Sequence, residues 1–329
     1  MMVRSSRKRL DPRDISRRRA WVYIAVAVFV LFDIALIVLA LNGIRPAPSG
    51  TPAPIPTYTP SPGETSTPAP TASATSSTIP SASIDAVPST RIVAALDGTT
   101  AWRARTGPCP ATPATAQITT DSGVTWRQTD ANASGTLSSL QRIIVGGKAL
   151  ASMVALTRSD CSPALIKTFV AGRAYAPFPA ELAGIWYVNP ANRNAVHSPI
   201  GDRSAPCSVV ALAVRDSTSA AVLCADHTVY ATTDAARTFA SSIAVPGAVT
   251  IATSDAGYFA AATGQSGCAG LQIVALTANL QSTKAGCYAT SLAPQSLAAN
   301  VALANAGGTV WLWAGDAMSR SSDGGATWR

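Results

Sequence analysis

The sequence predicts an all-β repeat domain held outside a membrane by one apolar helix and a long polar stalk. Three observations predict it. Trp21 to Ile44 is a 24-residue apolar run whose one charge is Asp33; residues 45–90 are rich in Pro, Ser and Thr; and from Arg91 onward short β-branched and aromatic runs alternate with Gly, Asp, Ser and Asn turns, with no helical period. The 329 residues suffice for one to three domains with a sizeable core. The net charge of +8 is unevenly placed. Eight basic residues (Arg4, Arg7, Lys8, Arg9, Arg13, Arg17, Arg18, Arg19) face only Asp11 and Asp14 in the first 20 positions, whereas residues 45–329 carry 17 basic against 14 acidic groups. Because the charge sits in a short tail and not on a folded face, nucleic acid is not an expected partner.

At about 1.5 Å per residue the apolar run spans roughly 36 Å, enough for a hydrocarbon core of about 30 Å. A transmembrane helix is expected over 21–44. The basic residues before it, against Arg45 alone just after it, put residues 1–20 in the cytoplasm and the rest outside. Val38 and Ala40 would suit a cleavable secretory signal, but the apolar run exceeds the usual length of about 7 to 15 residues, so an uncleaved signal anchor is the reading adopted. A mid-membrane carboxylate at Asp33 costs about 2.5 to 3.5 kcal/mol on insertion scales; it either pairs with a polar group on a second helix or stays protonated.

Residues 45–90 hold 11 Pro and 18 Ser or Thr but almost no large apolar groups, so they cannot bury enough surface to offset ordering entropy. A disordered linker of partly polyproline character is expected. Fully extended at about 3.1 Å per residue it would reach about 140 Å.

The outer domain, 91–329, contains a repeat. Thr119-Thr-Asp121-Ser-Gly123-Val-Thr125-Trp126 and Ser321-Ser-Asp323-Gly-Gly325-Ala-Thr327-Trp328 share the form S/T-x-D-x-G-x-T-W, and Thr232-Thr-Asp234-Ala-Ala236-Arg-Thr238-Phe239 lacks the Gly and has Phe for Trp. Degenerate copies run over 168–175 and 277–284. The octapeptide resembles the Asp box, or BNR repeat, of sialidases, Vps10-type sorting receptors and photosystem II assembly-factor-type β-propellers. The resemblance implies a propeller whose boxes join the third and fourth strands of each blade. There Asp accepts backbone N–H bonds, Gly takes a positive φ and the aromatic packs between strands. The Asp-equivalent positions 121, 170, 234, 279 and 323 lie at blade-like intervals of 49, 64, 45 and 44 residues. Five blades are expected, or six if the long third interval divides. Second strands are read at Thr100–Arg103, Gly257–Ala260 and Thr309–Trp313, and no strand is left over to close the ring with the first blade.

All six Cys lie outside the anchor, where disulfides are expected; 15 pairings are formally possible. In the repeat frame, Cys207 and Cys224 bracket one hairpin, Cys268 and Cys287 bracket the middle of another blade, and Cys109 and Cys161 occupy equivalent loops of neighbouring blades. With only His197 and His227 and no Cys/His ligand spacing, neither a metal site nor a cofactor is assigned.

The resemblance to sialidases does not carry over to catalysis. That family uses an arginine triad, a Tyr–Glu nucleophile pair and an Asp acid, whereas this domain has a single Glu, Glu181, and Arg91-Ile92-Val93 departs at the Pro of the family's Arg-Ile-Pro element. No nucleophile elbow or phosphate-binding Gly loop is present either, so no catalytic residue is assigned. The expected role is a non-catalytic binding or assembly module for an envelope protein or cell-surface glycan. By resemblance, the photosystem II assembly-factor-like group is its nearest functional type. Two alternatives make different demands: a sialidase-like hydrolase requires Arg and acid groups clustered on one face, and a membrane sensor requires the basic tail and Asp33 to contact a second membrane protein. The polar excursion 189–206 exceeds what the repeat needs, so Trp186, Arg193, His197 and Arg203 are its candidate partner-binding residues, against the alternative of a solvated loop pinned by Cys207.

Overall fold

The computed structural model describes residues 85–132 and 134–329. The expected tail, membrane helix and most of the stalk lie outside them; among the described residues no helix is long and apolar enough to cross a membrane. The described chain forms six antiparallel sheets in sequence order. Blade 1 comprises β1 (Arg91–Ala95), β2 (Ala101–Arg105), β3 (Thr115–Thr119) and β4 (Arg127–Asp130); blade 2 comprises β5 (Leu137–Val145), β6 (Ala151–Thr157), β7 (Pro163–Thr168) and β8 (Ala176–Pro177). Blade 3 has three strands, β9 (Tyr187–Val188), β10 (Ala195–Ser198) and β11 (Gly201–Ser204). Blade 4 holds β12 (Val209–Val214), β13 (Ala220–Cys224), β14 (Thr228–Thr232) and β15 (Ser241–Ala244), and blade 5 holds β16 (Ala248–Thr253), β17 (Gly257–Ala262), β18 (Gly270–Thr277) and β19 (Ser282–Ala289). Blade 6 follows a short helix α1 (Pro294–Ala298) with β20 (Val301–Ala306), β21 (Thr309–Ala314) and β22 (Ala317–Ser321).

This is a six-bladed β-propeller, which corrects the expected count of five. The long third interval is not an insertion but a blade of its own, invisible to a repeat search because it has no box and its strands are only two and four residues long. Three strands leave the chain at the opposite rim from four. The segment from Phe178 to Trp186, with the 3-10 turn Pro179–Gly184, makes up the difference before β9 begins. The loop after β9 then meets the start of β12, where Val209 N donates to Arg193 O at 2.9 Å.

Strand alternation gives each sheet two apolar faces, and each face is shared with a neighbour. Six buried clusters therefore correspond to six seams. The largest are Trp102, Ile118, Leu140 and Met153 between blades 1 and 2, and Leu223, Ile251, Tyr258 and Leu276 between blades 4 and 5. The smallest, Val154, Leu165 and Tyr187, joins blade 2 to the small blade 3. Side-chain donors pin the seams further: Arg142 Nη1 to Trp186 O (2.6 Å), Arg193 Nε to Val209 O (2.7 Å), Trp311 Nε1 to Asp97 O (2.9 Å) and Arg320 Nη1 to Gly98 O (2.7 Å). Among the described residues the ring closes without strand exchange. Blade 1 supplies all four of its own strands, and blade 6 has three, with Arg329 exchanging both backbone bonds with Arg320 where a fourth would run.

The boxes connect third and fourth strands. In the first, Thr119 Oγ1 donates to Asp121 Oδ1 (2.7 Å), Thr125 N to Asp121 Oδ1 (2.9 Å) and Gly123 N to Thr119 Oγ1 (2.9 Å); the boxes at 232 and 321 repeat the pattern. The indole N–H groups of Trp126 and Trp328 donate to Gly123 O and Gly325 O, while the rings lie against the preceding blade, Trp126 edge-on to Trp311 and Trp328 edge-on to Tyr288. Bonds from the Thr125 and Thr119 hydroxyls and the Thr125 N–H lower Asp121 to about 2; Thr238 does the same for Asp234, and Ser321 and Thr327 lower Asp323 further. Depressed carboxylates stabilise the fold fully above the unfolded value of about 3.9 and lose that contribution as pH falls toward 2. The urea midpoint is thus expected to drop between pH 4 and 2, and Asp121→Asn should lower it at pH 7 while flattening the acid dependence.

The degenerate box at 168 keeps the turn through Gly172, whose N–H donates to Thr168 Oγ1 at 2.8 Å. Its φ is +76°, and an added Cβ would lie 2.5 Å from Thr129 Cγ2 and 2.9 Å from Trp102 Cη2. Gly172→Ala is expected to cost more than about 1 kcal/mol, whereas Gly184→Ala, with open space around it, should stay within about 0.5 kcal/mol. Thermal denaturation of the pair checks this.

Three disulfides form, Cys109–Cys161, Cys207–Cys224 and Cys268–Cys287, each between Cys that the repeat frame placed together, and they settle a connectivity that the sequence left open. All lie on the rim opposite the Asp boxes. The first joins the loop after β2 to the loop after β6 and so staples blades 1 and 2.

Candidate functional site

The inner strands of all six blades surround a central channel of about 780 Å³. Small apolar side chains, Ile92 and Ala94 from β1, Ala211 and Leu212 from β12, Ile251 from β16 and Leu303 from β20, share its wall about equally with polar surface. Register irregularities in β5, β12 and β16 bend these inner strands, and a bulge re-aims the side chains beside it. Polar groups enter the channel along its length: Asp160 beside Cys161 and Arg193 from blade 3 near the disulfide rim, Gln141 and Arg142 from within β5, and Thr253 and Asn305 at the ends of β16 and β20 toward the Asp-box rim. Burial lowers Arg142 to about 10, which leaves it a cation at neutral pH, and lowers Arg193 as well. Asp160, held by the hydroxyls of Thr157 and Ser162, is lowered to about 2 and is a carboxylate.

The described chain begins across this same rim. Ala86 is buried, with its N–H donating to Ala225 O of blade 4 (3.2 Å), and Thr90 N donates to Ala299 O ahead of blade 6 (2.8 Å). Pro88 and Ser89 between them line the channel. Residues placed at the end of the stalk by composition thus form a strap on the disulfide rim.

The four residues proposed from sequence as a partner patch are placed as follows. Trp186 is buried at 3% exposure in the core between blades 3 and 4. Arg193 lines the channel, but its guanidinium is bonded to Val209 O and Val210 O (3.1 Å). His197 stacks on Tyr187 with centroids 4.6 Å apart, and its Nδ1 lies 2.7 Å from Asp202 Oδ1. Arg203 Nη2 donates to Ile200 O at 3.1 Å. The structure therefore brings Arg193 to the channel wall and places the other three within blade 3. Sequence reasoning missed Arg142 and the strap. The signal for Arg142 was present in Leu140-Gln141-Arg142-Ile143, a polar pair breaking an otherwise apolar first strand.

Other groups are accounted for within the fold. Glu181 is paired with Lys167, and among the described residues no group of three His, Cys, Asp or Glu could hold a metal ion.

No protein-family model matches the chain, and no curated protein matches it. Among solved structures it is similar to YCF48 bound to D1 peptide, at 14% identity and a TM-score of 0.36, over 74% of this chain and 82% of that one. It is also similar to YCF48 from Cyanidioschyzon merolae (13% identity, TM-score 0.28, 74% of this chain and 85% of that one) and to the Hadza microbial sialidase Hz136 (12% identity, TM-score 0.36, 73% and 57%).

Proposed function

We propose that this protein is a single-pass, N-in membrane protein whose extracytoplasmic propeller is a non-catalytic module binding an envelope protein or glycan at the disulfide rim of its channel. The observation that carries the reading is the channel itself, a concave site of about 780 Å³ built by six blades, whose surface mixes apolar side chains with polar ones and carries the charges of Asp160 and Arg193 near the disulfide rim. The pairing of all six Cys supports an oxidising compartment, and the apolar run 21–44 with its basic flank supplies the anchor. Among the described residues the single Glu, Glu181, is paired with Lys167, which weighs against the hydrolase alternative's Glu-activated Tyr nucleophile.

The test uses the full-length protein in its own membrane with a photo-crosslinking residue at Ala191, exposed beside the channel, or at Val124, 80% exposed in an Asp-box turn on the opposite rim. Adducts from Ala191 and not Val124 are expected. Protease sensitivity of the adduct separates a protein from a glycan. Equal labelling at both sites, or none at Ala191, overturns the reading.

A further inference from the structure

A second concavity of about 360 Å³ lies at the seam between blades 6 and 1, lined by Arg103, Arg105, Gln117, Gln128, Trp313 and Asp316 among others. Strand alternation builds it. Arg103 and Arg105 occupy alternate positions of β2 and project from one sheet face; Arg91 pairs with Arg105 across β1–β2, and Gln117 pairs with Arg103 across β2–β3. The three guanidiniums lie around one indole, with the Cζ atoms of Arg91, Arg103 and Arg105 at 4.8, 5.0 and 5.6 Å from the centre of Trp313.

The charges do not balance. The carboxylate that pairs with this group is Asp316, 2.8 Å from Arg105 Nη2 and 3.5 Å from Arg91 Nη2, with its side chain 88% exposed. Three cations against one anion leave two positive charges. Arg91 lines the channel and not this pocket; it is only 7% exposed and keeps Nε and Nη1 buried without a hydrogen-bond partner, and the buried Trp313 Nε1, in the pocket wall, likewise has none. Buried unpaired donors and mutually repelling guanidiniums are costly unless an anion offsets them. Burial and this repulsion hold both Arg91 and Arg103 below the usual arginine value. Arg103 spends Nε on Gln117 Oε1 at 2.7 Å, which leaves its terminal nitrogens for a ligand.

We propose that this seam pocket binds a dianionic tetrahedral oxyanion, a phosphate or phosphate monoester, between Arg103 and Arg105 beside the Asp316 carboxylate. A dianion matches the uncompensated charge, and its several acceptor oxygens suit converging guanidinium forks. Arg105 Nη2 already donates to the Asp316 carboxylate, so this arginine edge binds an oxyanion in the structure itself.

Calorimetric titration of the full-length protein in neutral detergent at low salt tests this, with inorganic phosphate and phenyl phosphate as probes and acetate as the monoanion control. Saturable phosphate binding is expected, with acetate at least tenfold weaker. Arg105→Gln should weaken phosphate at least tenfold, while Asp316→Asn, which removes the competing internal carboxylate, should tighten it. Both side chains are exposed, so both variants should fold; circular dichroism verifies that. Tighter binding of phenyl phosphate than of phosphate would identify an esterified group as the ligand, and the reverse would identify the free ion. No saturation by 10-fold excess over millimolar probe, or equal responses of the two variants, overturns the proposal.

Discussion

Replacing Trp311 with alanine is expected to destabilise the propeller by about 3 to 5 kcal/mol, the usual cost of deleting a fully buried indole. Trp311 is 0% exposed and lies at the seam where the ring closes. Its ring meets Trp126 edge-on at 6.4 Å, its Nε1 donates to Asp97 O, and Arg320 lies 5.3 Å from its centre. Among the described residues no strand is exchanged between blades 6 and 1, so side-chain packing, with the cross-seam hydrogen bonds, carries this seam. Trp311→Phe should keep most of the packing and lose the indole bond, worth about 1 kcal/mol. Urea unfolding of the three proteins measures both steps. A loss below 1 kcal/mol for the alanine variant would show that the seam is held by its backbone contacts, such as Thr90 N to Ala299 O.

The second large effect is expected at the inter-blade disulfide. Cys109 and Cys161 are 52 residues apart, and Cys207 and Cys224 are 17 apart. In the chain-entropy account, closing the longer loop restrains the unfolded chain more, giving about 4 kcal/mol against about 3 kcal/mol for the shorter. Paired alanine substitutions, compared by equilibrium unfolding, should follow that order. The shorter bridge closes a hairpin whose strands already pair, Val209 with Cys224 through Val214 with Ala220, whereas the longer one joins separate sheets. Equal losses would mean that native packing, not loop length, sets the contribution.

Much of the fold could be read from local sequence because local physics builds it. An Asp box is a turn that satisfies its own backbone, so Thr119-x-Asp121-x-Gly123-x-Thr125-Trp126 specifies the same hydrogen bonds wherever it occurs, and even the copies at 168 and 277 sit between third and fourth strands. The second strands at Gly257–Ala262 and Thr309–Ala314 were legible for a similar reason, because they are buried on both faces and read as unbroken apolar and aromatic runs, and Ala101–Arg105 through its buried Trp102 in an alternating pattern. The repeat frame placed the six Cys near one another in pairs, but the connectivity was fixed only by the structure. Blade 3 was not legible. Its strands take their stability from Trp186 and Val196 packed on blade 4 and from Arg142 and Arg193 bonded across its two seams, and none of these partners is near in sequence.

By itself the sequence determined the anchor and stalk as expectations, the all-β class and the turn chemistry, each a property of contiguous residues and their solvent. The tertiary structure alone decided the number of blades, the strap of residues 86–90 on the channel rim, and the meeting of Arg91, Arg103 and Arg105 with Trp313 and Asp316, more than 200 residues away. The physical reason is ring closure. A propeller brings its first and last sheets together whatever their separation along the chain, so the environment of a charged side chain at that seam is set by the ring and not by its sequence neighbours.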